Sequence, residues 1–508
     1  MKPKFWLSPL VVVLLAATIP YLIAALNGGQ DWVFTGVLAN PADGASYLAK
    51  VREGWEGAWR FTLPFTAQPG AGAYLFLYYL FLGHLARWLG LPIILIYHIA
   101  RLAGAAALVY ALSRFVTVIF PNRPDLGRIA LWLMAVGSGM GWIILFLGPP
   151  PSDFWVAEAF PFLAMYTNPH FSLGVALLLL ALGWVIDSGA RARALKLLVV
   201  GLLISVVFQF ALVVALVAAA AWVLWTWIET RRLDWLPIVS LGALGGPYLL
   251  YQFWAIQSDP VLAGWNAQNI TPSPYLYDFV ISFSPALPLA LSGILGLERQ
   301  AQHPARRLLI SWFALGLLLI YVPFALQRRF MLGFYIPTAA LAVYGIDFLR
   351  QRYVSLAKVL VPLTFSLALP TNILLIVIGL IGVLGHSSFL YLRADEARAL
   401  AWIEQQTPSR ALVVASPELA RWIPGMTGRR VIYGHPYETV NAAREEQWVN
   451  TVYQQPGPVN LEMLESRKVD YVIYGPREKS LASKADFSAL RLAFQDGQVQ
   501  VYAVAKGP

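Results

Sequence analysis

Residues Leu7–Leu26 read LSPLVVVLLAATIPYLIAAL, twenty positions without one charged side chain. Such a run is long enough to cross a hydrocarbon core of about 30 Å as a helix. Three more charge-free runs follow at Trp235–Ile256, Leu308–Leu326 and Val359–Leu384. Only transmembrane helices account for several such segments in one chain, so the sequence reads as a polytopic α-helical membrane protein. A cleaved signal peptide has a shorter apolar stretch ending at a small-residue site. Leu7–Leu26, behind Lys2 and Lys4, is therefore expected to stay as the first span. The net charge of +10 does not point to nucleic acid, because the cations sit in short loops beside the spans, as positive-inside topology requires. With no cysteine, the chain has neither disulfides nor a thiolate nucleophile nor a cysteine-ligated metal.

The loops holding Arg123/Arg128, Arg191/Arg193/Lys196, Arg231/Arg232, Arg299/Arg306/Arg307 and Arg350/Arg352/Lys358 are basic, which places them in the cytoplasm. Gly148–His170 and Gln257–Asp278 contain no Lys or Arg but carry Asp153, Glu158, Asp259 and Asp278, and are placed outside. The outer loop at Gln327–Arg329 breaks the rule, which singles out Arg328 and Arg329. Leu197–Ile228 is an uncharged run of 32 residues, about 48 Å as one helix. Splitting it near Gln209 gives two crossings and keeps Arg231 and Arg232 inside. Tyr74–Leu89, interrupted by His84 and Arg87, reads as a helix lying in or dipping into the outer leaflet, and Pro92–Phe120 as the second span. The expected count is about 11 spans, with the amino terminus cytoplasmic, in a plasma membrane.

Two modules are expected: a membrane module over 1–385 and a soluble extracytoplasmic α/β domain over 386–508. In the latter, Asp395–Gln406 and Val440–Tyr453 read as helices. Ala411–Ala415, Arg430–Tyr433 and Val469–Tyr474 read as strands. Ala489–Phe494 and Val499–Ala505 flank Asp496–Gly497 as a hairpin. No phosphate-binding glycine loop is present, so an ATP-driven engine is unsupported.

The first outer loop, 27–73, is too long for a connector and dense in charge: Asp31, Asp43, Lys50, Arg52, Glu53, Glu56 and Arg60. Asp43 is placed either to cap a helix running Gly44 to Gly54 or to do chemistry, and spacing does not choose. The second, 148–170, holds Asp153 and Glu158 and ends at Tyr166-Thr167-Asn168-Pro169-His170. An acid and an imidazole at a membrane boundary must be paired or hydrated, which suggests a site, although Glu158 and His170 facing water or head groups is the simpler account. Arg328 and Arg329 suit either lipid head groups or bidentate phosphate recognition. Trp155, Tyr166, Trp265, Tyr275 and Tyr277 are interfacial anchors or sugar-stacking surfaces. Arg101 and Gln209 are given no role.

Taken together, a first span, a long outer loop with Asp43 followed by Tyr47, a second acidic outer loop and a soluble tail resemble the GT-C superfamily of integral-membrane glycosyltransferases. Gly36–Asp43, Trp59–Phe61, Asn168–Phe171 and Ile423–Arg430 with Gly434–His435 resemble uncharacterised bacterial members. The resemblance implies transfer of a sugar from a polyprenyl-phosphate donor to an unidentified acceptor, with Asp43 as general base or metal ligand. It implies Glu158, or else Asp153, as the second-loop acid, and Arg328 and Arg329 at the donor phosphate. His170 lies near enough in sequence to join them. A divalent metal, Mg or Mn, is the one cofactor it leaves open, with Asp43 and Glu158 as ligands. Gln68 departs from the pattern, standing where a Glu is expected, and so bears on metal dependence.

The chemistry is coherent by itself. Charge develops on the leaving phosphate as its bond to the anomeric carbon breaks, which arginines stabilise, and the attacking hydroxyl loses a proton that an aspartate accepts. In-line displacement inverts the anomeric centre. A lipid-linked sugar transporter or flippase would instead need ionisable groups deep in several spans and related halves, which the sequence does not display. A non-catalytic membrane scaffold is the remaining alternative.

Overall fold

The computed structural model describes residues 5–186, 190–298, 305–323, 325–455, 457–481 and 485–504. Lys2, Lys4, Arg299 and Ala505 lie outside them. The chain divides into two compact units, one of Met1–Pro20, Ile99–Tyr251 and Thr271–Gly379, the other of Tyr21–His98, Gln252–Ile270 and Leu380–Pro508.

The first unit is helical. Among the described residues of the whole chain, five helices are long and apolar enough to cross a membrane: Leu7–Leu26, Ile93–Ile119, Pro169–Ile186, Gln209–Thr230 and Leu360–Leu384. A pair bent by 73°, Leu276–Phe283 with Ala286–Glu298, makes a sixth if it is one span. Length and composition thus account for five or six of the eleven expected crossings. The run Leu308–Leu326 overlaps a helix over Arg306–Ile320 of only 15 residues. The long apolar run does break where expected. Phe208 leaves helical geometry at φ −157°, between Ala190–Val207 and Gln209–Thr230, and its ring is buried edge-on to His170 at 5.1 Å. Helices Ala286–Glu298 and Tyr335–Arg352 touch backbone to backbone because Gly293 faces Leu341 O and Gly345 faces Leu289 O; a Cβ at either glycine would collide.

The second unit joins the first loop to the tail. The helix Pro41–Trp55 begins with Pro41, whose fixed φ suits the first helical position, after Asn40 in the left-handed region at φ 51°. It packs on helix Leu77–Leu89 through Gly54 and Gly83, where any side chain would strike Leu80 O and Val51 O. The second helix buries Tyr79, Leu80, Leu82 and Ala86 and exposes Phe81, Trp88 and Leu89, the one-sided pattern of an interfacial helix. Strand β1 (Trp32–Phe34) pairs antiparallel with β2 (Tyr391–Arg393), so the loop and the tail share a ladder.

The tail builds on β3 (Leu412–Val414), β4 (Arg430–Val431), β6 (Tyr471–Tyr474), β8 (Arg491–Asp496) and β9 (Val499–Ala503), in the order β4-β3-β6-β9-β8. The first three run parallel, β9 antiparallel to both neighbours. A short parallel pair, β5 (Gly457–Pro458) with β7 (Ala485–Asp486), stands apart from that sheet. Helices Ala394–Gln406 and Ala442–Gln454 match the expected ones, and Gly497 closes the hairpin at φ 53°. Leu412, Val414, Val449, Val452, Tyr453 and Val472 share one buried core.

Candidate active site

Asp43 sits in the first turn of Pro41–Trp55, two residues inside its start. It does not cap a helix beginning at Gly44, because Pro41 starts that helix three residues earlier. It instead belongs to the first turn of that helix, where the positive end of the helix dipole attracts negative charge. Asn40 Nδ2 donates to Oδ2 at 2.6 Å, and the side chain keeps 37% of its surface exposed.

Beneath it the same helix presents buried polar groups at four-residue spacing. Lys50 Nζ donates to Ser46 Oγ and to Glu438 Oε1, both at 2.6 Å, and Ser46 Oγ donates to Glu438 Oε1 at 2.5 Å. The ammonium is enclosed by the rings of Phe76, Tyr47 and Phe61 at 4.5, 5.2 and 5.2 Å. Tyr47 stacks on Tyr79 at 4.5 Å. Burial pushes the Glu438 carboxyl up, but the charge of Lys50, the neighbouring His435 and the hydrogen bonds from Lys50 and Ser46 together hold the group below its ordinary value. One turn further on, burial pushes Glu53 up to about 8, although Thr62 N donates to it at 3.1 Å.

His435 Nε2 lies 3.8 Å from Asp43 Oδ1. Its Nδ1 accepts the backbone N–H groups of Tyr437 and Glu438, each at 3.1 Å. Neither His435 nor Glu438 carries a role in the sequence reading. The only signal was Gly434–His435 within a stretch matched by resemblance.

In the other unit, Glu158 is buried and its Oε1 accepts from Arg329 Nη1 at 2.9 Å. Main-chain bonds strap the two segments together: Gly333 N donates to Glu158 O at 2.8 Å and Tyr335 N to Ala159 O at 3.3 Å. Arg329 also lies over Phe210, and Arg328 lies 4.5 Å above the Trp155 ring. The structure therefore brings Glu158 and Arg329 together, with Trp155 supporting Arg328.

Asp153 goes elsewhere. Fully buried, it accepts from Thr371 Oγ1 at 2.8 Å, Gly141 N at 3.1 Å and Ser282 Oγ at 3.3 Å, and burial pushes its carboxyl up to about 7. It is a packing node. His170 is buried against Phe171 and Phe208, with ring centroids at 4.0 and 5.1 Å, rather than facing water. Tyr166 is buried too and offers no sugar-stacking face, whereas Tyr275 and Tyr277 stack on each other at 5.8 Å and are exposed. Gln68 is exposed in a turn where its N–H donates to Thr66 Oγ1 at 3.2 Å. Arg101 is buried, with Nη1 donating to Tyr166 O at 3.4 Å.

Among the described residues no group of three or more His, Asp or Glu could hold a metal ion. The donor set around Asp43 does not fit one either, since His435 Nδ1 accepts two N–H groups, which leaves the ring proton on the Nε2 that faces Asp43. No step below is routed through a metal.

No protein-family model and no curated protein matches the chain. Solved structures do. The oligosaccharyltransferase AglB of Archaeoglobus fulgidus, tethered to an acceptor peptide, aligns at a TM-score of 0.57 and 13% identity over 93% of this chain and 69% of that one. The same enzyme has been solved with a dolichol-phosphate and with Zn and sulfate. ArnT from Cupriavidus metallidurans, bound to undecaprenyl phosphate, aligns at 0.51 and 12% identity over the whole of both chains. The mycobacterial arabinofuranosyltransferase AftD aligns at 0.50 and 16% identity over 98% of this chain but 40% of its own. At such identities the likeness is one of architecture, and the architecture this chain shares with its neighbours is that of GT-C glycosyltransferases.

Proposed function

We propose that the chain is an integral-membrane glycosyltransferase that moves a sugar from a polyprenyl-phosphate donor to an extracytoplasmic acceptor, with the amino terminus cytoplasmic and the tail outside. The observation that carries this reading is Asp43: an exposed carboxylate in the first turn of a helix, with Lys50 and Glu438 buried and ion-paired beneath it. Polyprenyl phosphates bound by two of the structural neighbours support the donor class.

In this reading the acceptor hydroxyl gives its proton to Asp43 as its oxygen bonds to the anomeric carbon. The bond from that carbon to the phosphate oxygen breaks, and the polyprenyl phosphate leaves with the electron pair. Displacement from the opposite face inverts the centre. Arg328 and Arg329 stabilise the charge developing on the phosphate. Glu158 holds the Arg329 guanidinium in place rather than touching substrate, and Trp155 gives Arg328 a flat surface to lie on. The lipid bilayer supplies the donor's surroundings.

The test is turnover by the protein reconstituted in liposomes, with a panel of labelled undecaprenyl-monophosphate sugars. Asp43→Asn keeps shape and removes the base, so transfer should fall about 100- to 10,000-fold. Undiminished transfer by that variant would overturn the reading.

A further inference from the structure

We propose that His435, contributed by the tail, is a positioning residue for the general base: its Nε2–H is aimed at Asp43 and orients the carboxylate for the acceptor. This rests on the reading of Asp43 given above. It also gives the tail a part in the reaction.

The tautomer follows from hydrogen bonding alone. His435 Nδ1 accepts from Tyr437 N and Glu438 N, both at 3.1 Å. A nitrogen that accepts two N–H groups carries no proton, so the ring proton is on Nε2. For the same reason the ring cannot become an imidazolium without breaking both bonds. Asp43 and His435 are therefore not a proton relay, and Nε2–H is a fixed neutral donor.

That donor is buried and, among the described residues, has no hydrogen-bond partner. Asp43 Oδ1, at 3.8 Å, is just beyond direct bonding length. A small rotation of the Asp43 side chain closes the gap, while the two backbone bonds at Nδ1 hold the ring. Phe65 lies 5.7 Å from it, and a Cβ on Gly434 would press into Phe65. The loop itself is pinned by Gln268, whose Nε2 donates to Thr439 O at 2.5 Å and whose Oε1 accepts from Asn441 N at 3.0 Å. With Asn40 on Oδ2 and His435 on Oδ1, both carboxylate oxygens are oriented.

Two substitutions separate this role from a structural one. His435→Asn puts an amide oxygen near the Nδ1 position, so the loop keeps its acceptor while the donor to Asp43 is lost. His435→Gln does the reverse. For a positioning role, His435→Asn should lose about 10- to 100-fold in kcat with KM little changed, and His435→Gln should recover much of it. Removing the donor raises the Asp43 pKa, so the acid limb of the pH profile should move to higher pH in His435→Asn. The other charged groups around the ring, Lys50, Glu438 and Arg421, are unchanged between the two variants.

Nitrogen-15 spectra of histidine-labelled protein, assigned by loss of the signal in His435→Asn, give a readout independent of turnover. A ring protonated at Nε2 that stays neutral through the ordinary histidine range is expected. An inert Asp43→Asn beside a His435→Asn of normal kcat and unmoved acid limb would overturn the inference while leaving the base intact. A titrating ring, or one protonated at Nδ1, would overturn it as well. A fully active Asp43→Asn would instead sink the parent reading.

Discussion

Lys50 Nζ and Glu438 Oε1 stand 2.6 Å apart, the lysine side chain without any exposed surface and the glutamate nearly so. Each residue alone would be an uncompensated buried charge. Breaking such a pair costs about 3–5 kcal/mol, while replacing both partners with apolar groups of similar volume is close to neutral. Lys50→Met and Glu438→Leu should therefore each lower the unfolding temperature sharply, and the two combined should recover most of the loss. Thermal unfolding in detergent, followed by tryptophan fluorescence, reads this directly. Additive losses in the double variant would show that the two do not act as a unit.

Glu158 and Arg329 make a second pair to test by a cycle. Arg329→Met leaves a buried carboxylate without its partner, and Glu158→Gln loosens the guanidinium. The double variant should be less damaged than the sum, by about 0.5–3 kcal/mol in stability. Donor affinity should fall in every variant lacking Arg329. A coupling of zero would assign the 2.9 Å contact no energetic role.

Asp153 predicts a pH dependence of definite sign. Its folded pKa of about 7 lies above the ordinary value of 3.8, so the folded state binds the proton more tightly. Its contribution is largest below the unfolded value and falls as pH rises from about 4 to about 7. Asparagine mimics the protonated form, with its oxygen taking the Gly141 and Thr371 bonds and its amide donating to Ser282. Asp153→Asn should gain stability relative to wild type at pH 8 and little or none at pH 4. Unfolding temperatures across that range, variant minus wild type, should rise with pH. A flat difference would contradict the assignment.

Truncation after Leu384 tests the sharing of one unit by loop and tail. It removes β2, leaving β1 unpaired, and removes Glu438 from Lys50 and Glu404 from Arg52. The loop 27–73 should then become protease-sensitive. A truncated chain with a protected loop and retained transfer would remove the tail from both folding and chemistry.

What could be read from the chain was what averages over many residues. Leu7–Leu26 and Pro92–Phe120 are helices because twenty-odd apolar positions outvote any single exception. The break at Phe208 was legible through charge parity across Arg231 and Arg232, not through local propensity. Single positions fared differently. Asp43 was visible as a carboxylate in a charged loop, but its place within the first turn depended on Pro41, whose ring outweighed the capping preference of an aspartate. Asp153 and Glu158, five residues apart and alike in composition, part company because one meets hydroxyls and the other a guanidinium. His435 and Lys50 were silent because their partners lie far away along the chain, and spacing rules reach only a few residues.

The pairing of Lys50 with Glu438 also sets a timetable. The two are separated by 388 residues, so at synthesis rates of about 5–20 residues per second the first waits roughly 20–80 s for the second. For that interval β1 is an open edge and a lysine destined for the interior stays in water. Maturation of the helix that bears Asp43 is thus tied to synthesis of the tail. A ribosome stalled before the tail leaves the 27–73 loop without the partners of β1 and Lys50, and an unpaired loop of that kind is what proteases cut first.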